Sequence, residues 1–257
     1  MTLRIFGSVL LILLLNSNDL SGQRKPTQSD FLPATLGFGV AAGLEVFGKS
    51  RLIPPEPRWS KPNRLDQTMR ERIFWGTDGQ NAAITWSDRL LYGISFSSLL
   101  WGPLLDDNRE RSALVNYEVL TANALVTNFV KILAARERPY SYYSTMESRG
   151  ADDFASFFSG HTSVAFSQAI TNALMLSQSY PDREVLIWAS LVGSAGLTAY
   201  FRVAGDQHYF TDVIAGAVVG SAIAWLITSY ELDRFPGPEE QSSNWTINLK
   251  IPLGSRF

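Results

Sequence analysis

Phe201-Arg202-Val203-Ala204-Gly205-Asp206-Gln207-His208-Tyr209-Phe210-Thr211-Asp212 joins two long uncharged runs of this 257-residue chain. Val185 to Phe201 covers 17 residues before the joint, and Val213 to Tyr230 covers 18 after it. Both runs are too long for strands and lack strand alternation, so each reads as a helix. The joint then places Arg202 at the end of one helix, and His208 with Asp212 at the start of the next. Short connections favour antiparallel neighbours, so the two helix ends face the same side.

Working outward, the core reads as five helical segments, roughly 83–104, 112–135, 161–178, 185–202 and 209–230. Lys131 falls near the end of the second, and Ser159-Gly160-His161 opens the third. If the helices alternate in direction, these pieces and the joint converge. The expected fold is all-α, a helical bundle with its active site at one end, formed by the ends of successive antiparallel helices. Gly216 and Gly220 stand among Ala215, Ala217, Ser221 and Ala222. Small residues four apart let helix backbones approach closely.

The flanks differ from this core. Residues 1–22 read as an export signal, with Arg4 before the apolar stretch Ile5 to Leu15 and Ser21-Gly22 as a cleavage point that matches the A-x-A pattern poorly; the alternative is an uncleaved anchor. Residues 23–76 form a mixed helical and irregular segment, and 77–231 the helical core. Ile53-Pro54-Pro55-Glu56-Pro57 cannot be helix interior, since proline removes donors and clashes with the preceding turn. Residues 232–257 read as a linker and short tail, in which Trp245, Ile247, Leu249 and Ile251 alternate as in a short strand.

Composition narrows the function. Charged residues make up only 18% of the chain, against about 25% in ordinary soluble proteins. A net charge of −2 argues against a nucleic-acid partner, which calls for a strongly basic face. With no cysteine, the chain excludes disulfides, zinc–thiolate sites, iron–sulfur clusters and a thiol nucleophile.

Three clusters carry chemistry, and they hold both histidines of the chain. Lys131 precedes Arg138-Pro139, and proline disfavours the α conformation at Arg138, turning it out of the helix. Lys131, Arg138 and Arg202 offer fixed positive charge for phosphate oxygens, arginine as a planar fork. Ser159 and the Gly160 backbone offer donors at a helix N-terminus, a ready anion site. His161 beside them is suited to protonate a leaving alkoxide. Asp212, four residues after His208, can fix its tautomer and leave the other nitrogen free to attack. Taken singly, each cluster also reads as a helix cap. Their convergence is what favours a site.

These clusters resemble the three-part signature of the type 2 phosphatidic acid phosphatase and vanadium haloperoxidase superfamily. Lys131 to Pro139 matches K-x6-R-P, Phe158 to His161 matches P-S-G-H, and Phe201 to Asp212 matches S-R-x5-H-x3-D. Phe158 stands for the family proline and Phe201 for its serine, neither of them a reacting group. The resemblance implies His208 as nucleophile, forming a phosphohistidine, with Asp212 orienting it and His161 as general acid. Lys131, Arg138, Ser159, Gly160 and Arg202 would hold the phosphate, and neither metal nor cofactor is needed. The implied enzyme is a phosphoric-ester hydrolase acting on a lipid phosphate or another exported phosphate ester. Its alternatives are a vanadate-dependent haloperoxidase and a non-catalytic envelope protein of the same fold. The loop between Pro139 and Phe158, with Tyr140, Tyr142, Tyr143, Asp152, Asp153 and Phe157, reads equally as a cover for the pocket and as an ordinary surface loop with buried aromatics.

The two uncharged runs reach the length at which a helix can span a bilayer, about 17 residues. Segments 112–135 and 161–178, rich in Asn, Gln, Ser and Thr, suit a bundle interior better than lipid. The expectation is a membrane-associated envelope protein whose site faces the periplasm, with a soluble exported acid phosphatase as the alternative.

Overall fold

The computed structural model describes residues 25–236, so the expected leader and the alternating tail near 245–251 lie outside the described residues. The molecule is a helical bundle. Helix α1 (Leu32–Gly43) runs on through a wider turn (Leu44–Gly48) into α2 (Lys49–Leu52), then stops at the proline-rich stretch. A short helix α3 (Arg64–Ile73) follows. The long helices are α4 (Gly76–Leu105), α5 (Arg109–Ala134), α7 (Gly160–Ser179), α8 (Glu184–Ala204) and α9 (Phe210–Arg234). A single turn, α6 (Pro139–Tyr142), sits between α5 and α7.

The five expected core segments are all present, each longer at one or both ends. The largest gain is at the start of α4, which begins at Gly76. The sequence there is polar and shows no apolar face, but Gln80 is buried and donates to the Gly205 carbonyl at 3.3 Å. Tertiary contact holds a turn that periodicity alone would not announce.

Helix α7 is the axis of the bundle, packed on α4, α5, α8 and α9. Its interior is polar in the way its composition foretold. Asn172 donates to the Asn116 side chain at 2.9 Å, and Asn123 donates to the Ser163 carbonyl and hydroxyl, each at 3.1 Å. Paired amides of this kind satisfy one another, which removes the cost of burying them.

The α7–α9 contact depends on glycine. A Cβ at Gly216 would lie 2.6 Å from the Ser159 carbonyl oxygen, and one at Gly220 only 2.2 Å from that of Ser163. The two backbones therefore touch where α7 begins. The carbonyl of Asp212 also accepts from the Ser159 amide at 3.1 Å. The start of α9 is thus locked to the start of α7.

The alternating directions of α4, α5, α7, α8 and α9 bring Lys131, Ser159 to His161, Arg202 and His208 to one end. The chain between α2 and α3 supports that end. Arg58 and Trp59 bond to the backbone of Ala135 and Glu137, and Arg58 caps the end of α5 through the carbonyls of Ile132 and Leu133.

Candidate active site

Helix α5 ends on Ala135, whose φ of 40° is left-handed, and Arg138 follows in extended conformation before Pro139. This break turns Arg138 back across the bundle end. Its guanidinium donates to His208 Nε2 at 3.1 Å and to the Gln207 carbonyl at 3.0 Å. It also donates to the Asp152 carbonyl at 2.8 Å and to Asp152 Oδ1 at 3.2 Å. Arginine has no acceptor. Nε2 of His208 must therefore present its lone pair, and the ring proton belongs on Nδ1.

His208 is 1% exposed and sits in the short loop between α8 and α9. Its Nδ1 faces Asp212 Oδ2 at 3.7 Å, an ion-pair distance longer than a hydrogen bond. Asp212 Oδ2 is already engaged by the Ser156 hydroxyl at 2.6 Å and the Tyr209 amide at 3.0 Å. Asp212 thus caps α9 and faces His208 at once. Burial, with Arg138, Arg202 and Lys131 nearby, holds the His208 pKa well below its ordinary value. The ring is neutral at physiological pH.

His161, in the first turn of α7, meets a residue not singled out in the sequence. Its Nε2 lies 2.9 Å from Asp88 Oδ1 on α4, and Arg202 NH1 lies 3.5 Å from the same oxygen. Arg202 also donates to the Ser87 hydroxyl at 3.1 Å. Lys131 is buried, and Gly160 lies so close that an added Cβ would be 3.7 Å from Nζ and 3.1 Å from Thr127. Ser159 is fully buried, and its hydroxyl accepts from the Thr162 amide and hydroxyl, so it acts as the N-cap of α7.

The expected site residues Lys131, Arg138, Ser159, Gly160, His161, Arg202, His208 and Asp212 therefore lie at one end of the bundle. Two carboxylates balance their positive charge, Asp88 between His161 and Arg202, and Asp152 between Arg138 and Lys49, the last pair 3.6 Å apart. Burial works against the charge on Asp152, but Arg138, Lys131 and Lys49 outweigh it and hold its pKa below the ordinary carboxylate range. The neighbouring acid of that loop, Asp153, is structural. Asp153 accepts from the Tyr140 hydroxyl at 2.8 Å and the Arg149 amide at 2.9 Å. Among the described residues no three His, Asp or Glu side chains converge as a metal-binding group.

Residues 113–236 match the sequence pattern of the PAP2 superfamily. A protein of Arabidopsis thaliana named "Probable lipid phosphate phosphatase beta" is 30% identical over 153 residues, covering 51% of this chain and 69% of the relative. The chain belongs to the PAP2 superfamily. A "Putative phosphatidate phosphatase" of Drosophila melanogaster is 33% identical over 88 residues, covering 32% of this chain and 23% of that protein. Among solved structures, a transmembrane PAP2 type phosphatidylglycerolphosphate phosphatase from Bacillus subtilis is similar, with a TM-score of 0.48 and 19% identity. That match covers 85% of this chain and 98% of the other.

Within this PAP2 chain, sequence reading missed Lys49, Asp88, Arg136 and Ser156. Asp88 did leave a trace. With Arg89 it is the only charge in α4 after Asp78, an acid in an otherwise uncharged helix interior. Lys49 and Ser156 leave none, since each is an ordinary polar residue beside a turn.

Proposed function

We propose that this protein hydrolyses a phosphate monoester without a metal ion, through a phosphohistidine on His208. The observation that carries this reading is the Arg138 contact, in which Nε2 accepts and so carries its lone pair, not the proton, on a buried, neutral ring. In the first step Nε2 attacks phosphorus and the ester P–O bond breaks. The alkoxide leaves with a proton from His161 in its imidazolium form. Burial and Arg202 hold the His161 pKa down to about 4 against the pull of Asp88, which favours the imidazolium, so the step is favoured at acid pH. Arg138 moves its donors from Nε2 to the phosphate oxygens as the N–P bond forms, joining Arg202, Lys131 and the Gly160 amide around the transferring group. In the second step His161 takes a proton from water, whose oxygen attacks phosphorus. The N–P bond breaks, inorganic phosphate departs and His208 is restored.

The substrate is a lipid phosphate and the protein is embedded in a membrane. The names of the Arabidopsis and Drosophila relatives support the first statement. The flanks of the bundle support the second. The most apolar 18-residue windows of Pro181–Ala204 and Phe210–Arg234 have mean hydropathies of 1.3 and 1.8, yet only 11% and 28% of those windows are buried in the fold. The core helix of a soluble protein would be mostly buried. The apolar leader fits export, with the site on the outer face of that membrane.

The test is turnover of phosphatidate in detergent micelles with excess chelator, beside a soluble phosphate ester. The expected result is chelator-resistant, vanadate-sensitive release of phosphate from the lipid. Quenching with alkaline detergent should trap an acid-labile, base-stable phosphoprotein that is lost in His208→Ala. Full turnover by His208→Ala would remove His208 as nucleophile. Loss of activity with chelator and recovery with added metal would remove the mechanism.

A further inference from the structure

Helix α3 has no part in the steps above and precedes the residues that match the family pattern. It is nevertheless fastened at two points to the chain that carries His208. Asp66 and Arg70 stand one helical turn apart, on one face. Arg70 grips the Asp206 carboxylate with two parallel bonds of 2.6 and 2.8 Å, its guanidinium flanked by the rings of Phe74 and Tyr143. Asp206 has a φ of 57°, a left-handed conformation that a non-glycine residue adopts only when held there. Asp66, fully buried, accepts from the Thr211 amide and hydroxyl, each at 2.9 Å. His208 lies between these two anchors.

Asp66 also reaches the partner of the nucleophile. Arg136, fully buried, donates to Asp66 Oδ2 at 2.7 Å with one nitrogen, and to Asp212 Oδ1 at 2.5 Å and the Thr211 hydroxyl at 2.9 Å with another. Its guanidinium carbon lies 3.7 Å from the centre of the Trp59 ring and 4.2 Å from that of Tyr209, so the group is clamped and cannot turn. The order of contacts is Asp66, Arg136, Asp212, His208.

Charge explains why two acids share one arginine. An isolated Arg136–Asp212 pair would be formally neutral, and the guanidinium would draw the carboxylate away from the imidazole. With Asp66 the trio counts formally two carboxylates to one guanidinium, facing a ring that becomes cationic when Nε2 bonds to phosphorus. In a buried site such a charge acts strongly, because little solvent screens it.

We propose that Asp66 and Arg136 are positioning residues for His208, orienting Asp212 and setting its charge, with α3 as the brace of the nucleophile loop. The inference rests on the phosphohistidine reading. The test uses the full chain in detergent micelles with an aryl phosphate substrate, comparing wild type with Asp66→Asn, Asp66→Glu, Thr211→Val and Arg136→Lys. Asp66→Asn should lower kcat on the order of ten-fold, a typical coupling within one hydrogen-bond network. KM and inhibition by vanadate should stay within about two-fold, because no phosphate contact is removed. The trapped phosphoprotein should form more slowly, and Asp66→Glu should recover part of the rate. Asp66→Asn added to Arg136→Lys should cost less than it does alone. Thr211→Val, a smaller change for the case in which Asp66→Asn does not fold, should lower kcat in the same sense.

Wild-type kcat in the variants that fold would overturn the inference. So would a loss in which kcat, vanadate inhibition and thermal midpoint fall together, since that marks general loosening. If wild type shows no turnover, or His208→Ala keeps it, the phosphohistidine reading fails and takes the inference with it. Intact dependence on His208 with unaltered Asp66→Asn overturns the inference alone.

Discussion

The proposed role of His208 requires a ring that keeps its lone pair, and burial among cations favours that neutral form. The same burial has a consequence for stability. The unfolded chain takes up a proton at His208 near the ordinary pKa of about 6.5. The folded chain resists doing so until much lower pH. The neutral ring therefore contributes its full stability above about pH 6.5, and that contribution falls by up to about 1.4 kcal/mol per pH unit below it. His208→Gln, which cannot take up this proton, should show a flatter fall of thermal midpoint between pH 6.5 and pH 4.5. An equal fall in both proteins would show that His208 does not titrate this way. At this scale the sequence was most legible where groups lie close along the chain, as in Arg202 to Asp212. Asp88 meets His161 from 73 positions away, and Arg136 meets Asp212 from 76, distances that no local pattern spans.

Helices bring those distant residues together, and the contact between α7 and α9 sets the accuracy of the site. The spacing of Gly216 and Gly220 announced close packing, but the chain alone did not say against which helix. The structure places them against the first turns of α7, where Ser159 to His161 begin. Gly220→Ala should therefore cost about 1–3 kcal/mol of stability, as overpacked contacts do, and lower kcat by shifting the turn that holds His161. Gly193 in α8 is the matched control, since an added Cβ there meets nothing within 4 Å. Gly193→Ala should be neutral or stabilising by up to about 1 kcal/mol, as alanine is the better helix former. Thermal melts of both variants in the same detergent check this pair, and equal midpoints would remove the special role of the α7–α9 contact. Helix α3 shows the opposite case. Its sequence is mostly polar and offered no reason to connect it with a site, because its two anchors, Asp66 and Arg70, look like ordinary surface charges until Arg136, Thr211 and Asp206 are in place.

For the whole molecule the question is which solvent surrounds the bundle. The interior is unusually polar, with Asn116, Asn123, Gln168 and Asn172 buried, while the flanks expose Leu36, Val46, Phe47, Phe96, Val185, Val218 and Leu226. The chain did show both halves of this arrangement, as polar helices suited to an interior beside uncharged ones, and packing puts the polar pair inside. Val218 decides between lipid and water. It lies well inside α9 and is 64% exposed. On a water-facing surface, Val218→Lys should change stability by no more than about 0.5 kcal/mol and raise solubility. In lipid, a lysine near the middle of a spanning helix costs about 2.5–3.5 kcal/mol. The expected outcome is a marked loss of protein from the membrane fraction, with activity falling in proportion to the amount recovered. Unchanged abundance together with release into the soluble fraction would make α9 a water-facing helix. The bundle would then act on a phosphate ester that meets it in solution.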